Sequence, residues 1–81
     1  MNRDPRQTPQ PQPALGRAIR DLRRARDETQ EALAPHAGIT PKTLSLIERG
    51  EANPTWGTVQ GIADALGVPI SELAKLAEKH R

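Results

Sequence analysis

The segment 41–49, PKTLSLIER, contains the side chains that are best placed to bind a polar ligand. Leu44 and Ile47 are three positions apart and predict the buried side of a helix. Once these two side chains are committed to a core, the outward side carries the hydrogen-bond donors Lys42, Thr43, Ser45 and Arg49. The chemistry predicted for this segment is therefore non-covalent binding.

The other polar residues do not form a catalytic or metal-binding pattern. His36 and His80 are far apart in the sequence and the chain has no cysteine, so neither histidine is expected to be a metal ligand. No Ser/His/Asp set, glycine-rich phosphate loop or convincing carboxylate pair is present. We therefore expect a protein that is not an enzyme and needs no cofactor.

Two short helices joined by a tight turn are predicted to position the binding segment. Leu33 and Ala37 are four positions apart and give the first helix an apolar side. Gly38 can end this helix in the left-handed backbone conformation. Thr40 is a suitable cap for the second helix, and Pro41 suits its first position. This order is that of a helix-turn-helix.

Helical periodicity continues over the rest of the chain. The predicted helices cover residues 14–26, 29–37, 41–49, 55–66 and 69–79. No alternating β pattern and no internal repeat is present, so we expect one all-α domain over residues 14–81. Residues 1–13 contain four prolines and have no period, which predicts a disordered arm.

Composition limits the kind of protein this can be. Eighty-one residues support one small core, and without cysteine that core depends on helix packing. No segment approaches the roughly 20 apolar residues of a membrane span, so we expect a cytoplasmic protein. Twelve basic and ten acidic residues give a net charge of only +2. Any binding to nucleic acid must therefore depend on where the charges lie.

The run GITPKTLSLIERGEANPT followed by TVQGIADALGVPISEL resembles the Cro/C1-type (XRE) helix-turn-helix family of bacterial and phage regulators. The similarity covers about Leu15 to Leu76. The resemblance implies a five-helix, lambda-repressor-like domain and a transcriptional regulator, a repressor, that acts at the nucleoid. It also implies that a homodimer binds double-stranded DNA at a palindromic operator.

The resemblance further implies roles for single residues, because in this family the second motif helix enters the major groove. The matching positions for base contacts are Pro41, Lys42, Ser45 and Leu46. The matching positions for phosphate contacts are Gln30, Thr43 and Arg49. Lys42 would donate to guanine, whereas Leu46 offers only apolar contact, for example to a thymine methyl. Similar proteins also pair the residues matching Arg23 and Glu48, which would make a scaffold ion pair.

Three places depart from the family pattern. Leu46 replaces a residue that is often polar or basic, so we expect DNA shape to contribute to specificity, unless Leu46 is a partly buried filler or a protein contact. Pro35 cannot donate to the carbonyl of Glu31 and is expected to kink the second helix. Asp27 and Glu28 replace a common Gly-Leu pair. The turn then either has Asp27 in the left-handed conformation or follows another path.

The apolar residues of the last two helices raise two further expectations. Trp56 matches a family core position and is expected to be buried, with stacking on a base as the alternative. The surface for a homodimer is predicted to contain Val68, Ile70, Leu73 and Leu76, which exceed the needs of one small core.

An alternative function is a protein-interaction module, such as an antitoxin that binds a toxin, or an adaptor, with only weak DNA binding. Leu46 and the exposed side of the last helix would form its surface. Arg3 and Arg6 in the arm are expected to be solvated, and the alternative is that they contact DNA phosphates or a minor groove.

Overall fold

The computed structural model describes residues 12–81, which form five α-helices and no strand. The helices are α1 (Pro13–Ala25), α2 (Gln30–His36), α3 (Pro41–Glu48), α4 (Trp56–Leu66) and α5 (Ile70–Lys79). The predicted all-α, five-helix fold is confirmed, and each predicted helix end is within one residue of the observed one. The predicted arm lies outside the described residues up to position 11, and its last residue, Pro13, begins α1. No helix in residues 12–81 is long and apolar enough to cross a membrane.

The core lies at the centre of the five helices, and every helix contributes to it. Its members are Ala18 and Ile19 of α1, Leu33 and Ala34 of α2, Leu44 and Ile47 of α3, Val59, Ile62, Ala63 and Leu66 of α4, and Leu73 of α5. In α4 the buried residues follow the i, i+3, i+4, i+7 spacing of one helix face. Helix α1 packs against α3 and α5, and α2 packs against α3 and α4. Because α3 contacts both α1 and α2, its orientation is set by two neighbours.

Side-chain caps and left-handed residues define the helix ends. Thr29, Thr40 and Thr55 each accept a hydrogen bond from the backbone N–H three residues later, at 3.0–3.2 Å. Gly38 ends the first motif helix with φ of 76°. Asp27 has φ of 55°, so the first of the two paths predicted for the α1–α2 turn is the one observed. Asp is among the few residues with a side chain that tolerate this conformation.

Two sequence predictions about apolar residues were wrong. Trp56 is 64% exposed, because it is the first residue of α4 and borders an open groove beside Pro13 and Ile70. Leu73 was predicted in a surface between two chains, but it is fully buried and is the buried residue that α5 supplies to the core. It is therefore unavailable to a second chain in this fold.

Candidate nucleic-acid interface

Local interactions fix the start of α3. The Thr40 hydroxyl accepts a hydrogen bond from the backbone N–H of Thr43 at 3.1 Å and lies 3.0 Å from the Thr43 hydroxyl. Pro41 occupies the first helical position, where no backbone donor is required. The helix then continues to Glu48, and Arg49 is its C-cap residue. The predicted binding segment is therefore one helix of two turns.

The two sides of α3 have opposite character. Leu44, Ile47 and Glu48 are buried on one side. The opposite side carries Lys42, Ser45, Leu46 and Arg49, which are spaced i, i+3, i+4 and i+7 and which we call the outer face of α3. Lys42 and Arg49 are exposed, Ser45 and Leu46 are partly exposed, and Pro41 and Thr43 flank the face. Within residues 12–81, this face is therefore the side of α3 that is open to solvent.

The two cations of the outer face are available for a ligand. Among residues 12–81, Lys42 has no ion-pair partner. The Arg49 guanidinium lies 3.5 Å from the Glu51 carboxylate, and both side chains are 55% exposed. Exposed pairs of this kind contribute about 0–1 kcal/mol, so an anion in the partner can displace Glu51 at little cost.

A buried ion pair connects α1 to the end of α3. Arg23 Nε donates to Glu48 Oε2 at 2.7 Å, and Arg23 Nη2 donates to Glu48 Oε1 at 2.8 Å. The side chains are 10% and 1% exposed. The hydrogen bond with Glu48 raises the pKa of Arg23 above its ordinary value, although burial acts in the opposite direction. The two predicted scaffold residues thus lie in a two-point contact, which restrains rotation of α3 about its axis.

Two further residues complete this buried contact, and the sequence analysis did not assign them to it. Gln30 Nε2 donates to Glu48 Oε1 at 3.0 Å, and Arg23 Nη1 donates to the backbone carbonyl of Glu28 at 2.7 Å. We call Arg23, Glu28, Gln30 and Glu48 the clamp. The clamp joins α1, the start of α2 and the end of α3. Gln30, which was predicted to contact a phosphate, has its amide directed at Glu48 in this structure.

Gly16 is a second positioning residue that the sequence analysis missed. A Cβ atom at this position would lie 2.7 Å from the Glu48 carbonyl oxygen and would also collide with that of Ile47. Glycine therefore lets α1 contact the backbone at the end of α3 directly. The signal that could have identified this contact is a glycine inside a helical pattern, because glycine there costs about 1 kcal/mol relative to alanine.

The other residues predicted to act at an interface lie on or near α5. Val68, Ile70 and Leu76 are partly buried and pack against the core, so each exposes part of its side chain. Among residues 12–81, no three His, Asp or Glu side chains come together as a possible metal site. His80 Nε2 instead lies 2.8 Å from Asp21 Oδ2, which ties the end of α5 to α1.

Known proteins are similar to this chain in sequence and in fold. A family model described as a helix-turn-helix domain matches residues 14–76. The transcriptional repressor RstR of a cryptic CTXphi phage in Vibrio cholerae is 42% identical over 60 residues, which cover 74% of this chain and 54% of RstR. The regulator YazB of Bacillus subtilis, described as uncharacterized, is 41% identical over 59 residues, which cover 73% of this chain and 86% of YazB.

A solved structure is also similar. The crystal structure of the clp gene regulator ClgR from Corynebacterium glutamicum superposes with a TM-score of 0.81 at 28% identity, over 84% of this chain and 72% of ClgR. The chain spans about half of RstR, at 54%, and 25% of three mycobacterial relatives. The match over residues 14–76 includes all of the motif and the clamp. The chain belongs to the helix-turn-helix domain family.

Proposed function

We propose that the chain binds double-stranded DNA in a sequence-dependent way and represses transcription, with the outer face of α3 in the major groove. The observation that carries the proposal is the outer face itself, which presents Lys42 and Arg49 to solvent while the clamp fixes the opposite side. The major groove accommodates an α-helix. The names of the relatives, which include phage repressors, support the same function.

The residues of the outer face differ in what they can recognise. Lys42 is an exposed donor that can reach O6 and N7 of guanine, and Leu46, four positions later, can contact a thymine methyl. Pro41 and Ser45 lie beside them in the proposed base contact. Arg49 at the end of α3 is suited to a phosphate, and Thr43 and Gln30 are proposed as further phosphate contacts. Gln30 would use its second amide hydrogen or exchange its bond with Glu48.

We further propose a homodimer. Helix α3 has eight residues and is about 12 Å long, so one copy spans only a few base pairs. Two copies bound to half-sites about 34–36 Å apart, which is one helical turn of DNA, would contact about twice as many base pairs as one copy. Val68, Ile70 and Leu76 expose apolar area that could form the contact between the chains, whereas Leu73 cannot.

The test of DNA recognition is binding by the full chain to duplexes selected from a random library, at several salt concentrations. Lys42→Ala should relax the preference at one base pair by about 1–3 kcal/mol, and Arg49→Ala should weaken binding to all duplexes and reduce the salt slope by about 1. Lys75→Ala is the matched control, because it removes one exposed cation from α5. Identical specificity profiles for Lys42→Ala and Arg49→Ala would refute the assignment. Binding without salt dependence would favour the protein-interaction module.

The dimer is tested separately by sedimentation of the chain with a selected operator duplex. Two chains per duplex are expected, and Leu76→Glu should reduce this to one, because a carboxylate in an apolar contact is costly. Gln60→Glu adds the same charge at an exposed position of α4 and should leave two chains bound. One chain per duplex for both the parent and Leu76→Glu would exclude the dimer.

A further inference from the structure

An apolar groove with a volume of about 740 Å³ lies between the starts of α1 and α4 and one side of α5. Pro13, Ile70, Ala74 and Ala77 contribute to its walls. Trp56 stands at its edge and is the large hydrophobic side chain exposed among residues 12–81. The Trp56 ring and the apolar groove beside it form one contiguous exposed apolar patch, and such patches mark binding surfaces.

We propose that residues 1–11 of the same chain bind in this groove, with their prolines against Trp56. The first support is where this segment joins the fold. Gln12 and Pro13 are themselves part of the groove wall, so the preceding residues start at its edge. Eleven residues reach up to about 36 Å when extended. This exceeds the length of α5, whose ten residues span about 15 Å, so the segment can follow the whole groove.

The second support is the chemistry of the segment. It contains Pro5, Pro9 and Pro11, and apart from Met1 it has no large apolar side chain. Proline-rich segments favour the polyproline II conformation and bind grooves lined by aromatic side chains. Trp56 is the single Phe, Tyr or Trp residue of the chain. The proline rings of residues 1–11 and the indole of Trp56 at the groove are therefore complementary apolar groups.

The charges at the groove permit this contact. Glu78 and Arg81 lie at the end of the groove and form an ion pair of 3.0 Å with each other, so they add no net charge. The segment itself carries Arg3, Asp4 and Arg6, which can stay in water. Because the segment is tethered, its effective concentration at the groove is on the order of 1 mM. A weak contact is therefore sufficient to keep the groove occupied.

Trp56 provides the test, because it is the only tryptophan of the full chain. A variant with Pro5→Ser, Pro9→Ser and Pro11→Ser should shift the emission of Trp56 to longer wavelength and increase its quenching by acrylamide. The matched control, Gln7→Ser with Gln10→Ser, keeps the prolines and should behave like the parent. Ala74→Asp, at an exposed position in the groove wall, should produce the same shift as the proline variant.

Two results would overturn the proposal. If the parent and the proline variant have the same emission and the same quenching at all concentrations, the segment does not contact Trp56. If the emission shifts with protein concentration equally in both, a second copy of the chain fills the groove instead. Far-UV circular dichroism checks that the helices are unchanged, and the substituted prolines precede the first helix.

Discussion

Replacement of Arg23 by methionine should remove a large part of the stability of the domain. Methionine has a similar volume but cannot donate to Glu48. The Glu48 side chain is 1% exposed, so its carboxylate would stay buried with the Gln30 amide as its remaining donor among the clamp residues. Removing one partner of a buried ion pair costs about 3–5 kcal/mol, mainly because the other charge is left without compensation.

This loss of stability is large compared with the total free energy of unfolding of the domain. A domain of this size has an unfolding free energy on the order of 5–10 kcal/mol. With an m-value of about 1–2 kcal/mol per M in urea, the midpoint of unfolding should fall by about 1.5–5 M. The measurement is urea unfolding of the full chain followed by circular dichroism at 222 nm.

Two further variants make the interpretation specific. Arg81→Met removes an ion pair whose side chains are 70% and 67% exposed, so it should cost less than about 1 kcal/mol. The double variant Arg23→Met with Glu48→Leu should recover most of the lost stability, because no buried charge is then left alone. If Arg23→Met costs as little as Arg81→Met, or if the double variant is less stable than either single variant, the clamp does not act as argued.

Three other substitutions test how the backbone is held, each by thermal unfolding of the full chain. Pro35→Ala should raise the melting temperature by about 4–8 °C, because alanine at this position can donate a hydrogen bond to the carbonyl of Glu31, which contributes about 1 kcal/mol. A melting temperature below that of the parent would show that the proline ring has a packing role. Gly16→Ala should cost about 1–3 kcal/mol, because its Cβ would meet carbonyl oxygens of α3. Gly57→Ala is its control, since the Cβ there meets only one atom, at 4.0 Å, and it should stabilise by about 0.5–1 kcal/mol. Equal effects of these two would contradict the close approach of α1. Asp27→Gly should stabilise by about 0.5–1 kcal/mol, because glycine relieves the left-handed conformation at φ of 55°; destabilisation would mean that the Asp27 side chain has a role of its own.

Helix positions could be predicted from the sequence because local chemistry decides them. A threonine hydroxyl caps a helix through a backbone N–H only three residues away, as at Thr40. A left-handed glycine such as Gly38 ends a helix because glycine itself, without a Cβ atom, adopts positive φ at little cost. The outer face of α3 could be predicted equally well from the sequence, since Leu44 and Ile47 fix which side of the helix is buried. None of these three inferences required knowledge of where the other helices lie.

The clamp could be predicted only in part. The resemblance to a known family supplied the pairing of Arg23 with Glu48, which are 25 positions apart in the sequence. The same resemblance implied that Gln30 contacts a phosphate, and it gave no protein partner for the Gln30 amide. In the folded chain the end of α3 brings the Glu48 carboxylate within 3.0 Å of it. The partner of a polar side chain thus depends on which helices meet, and local pattern does not determine that.

The errors at Leu73 and Trp56 have a common physical origin. Counting apolar residues indicated a surplus on the last helices, but a count does not show which residue lies over the core. Helix α5 buries Leu73, whereas Trp56 begins α4 where the core ends and remains exposed. Part of the apolar surface that stays exposed therefore lies in the groove at Trp56 and Ile70, and no residue of the outer face of α3 lines that groove. If α3 contacts DNA as proposed, this groove takes no part in that contact, so residues 1–11 can occupy it at the same time.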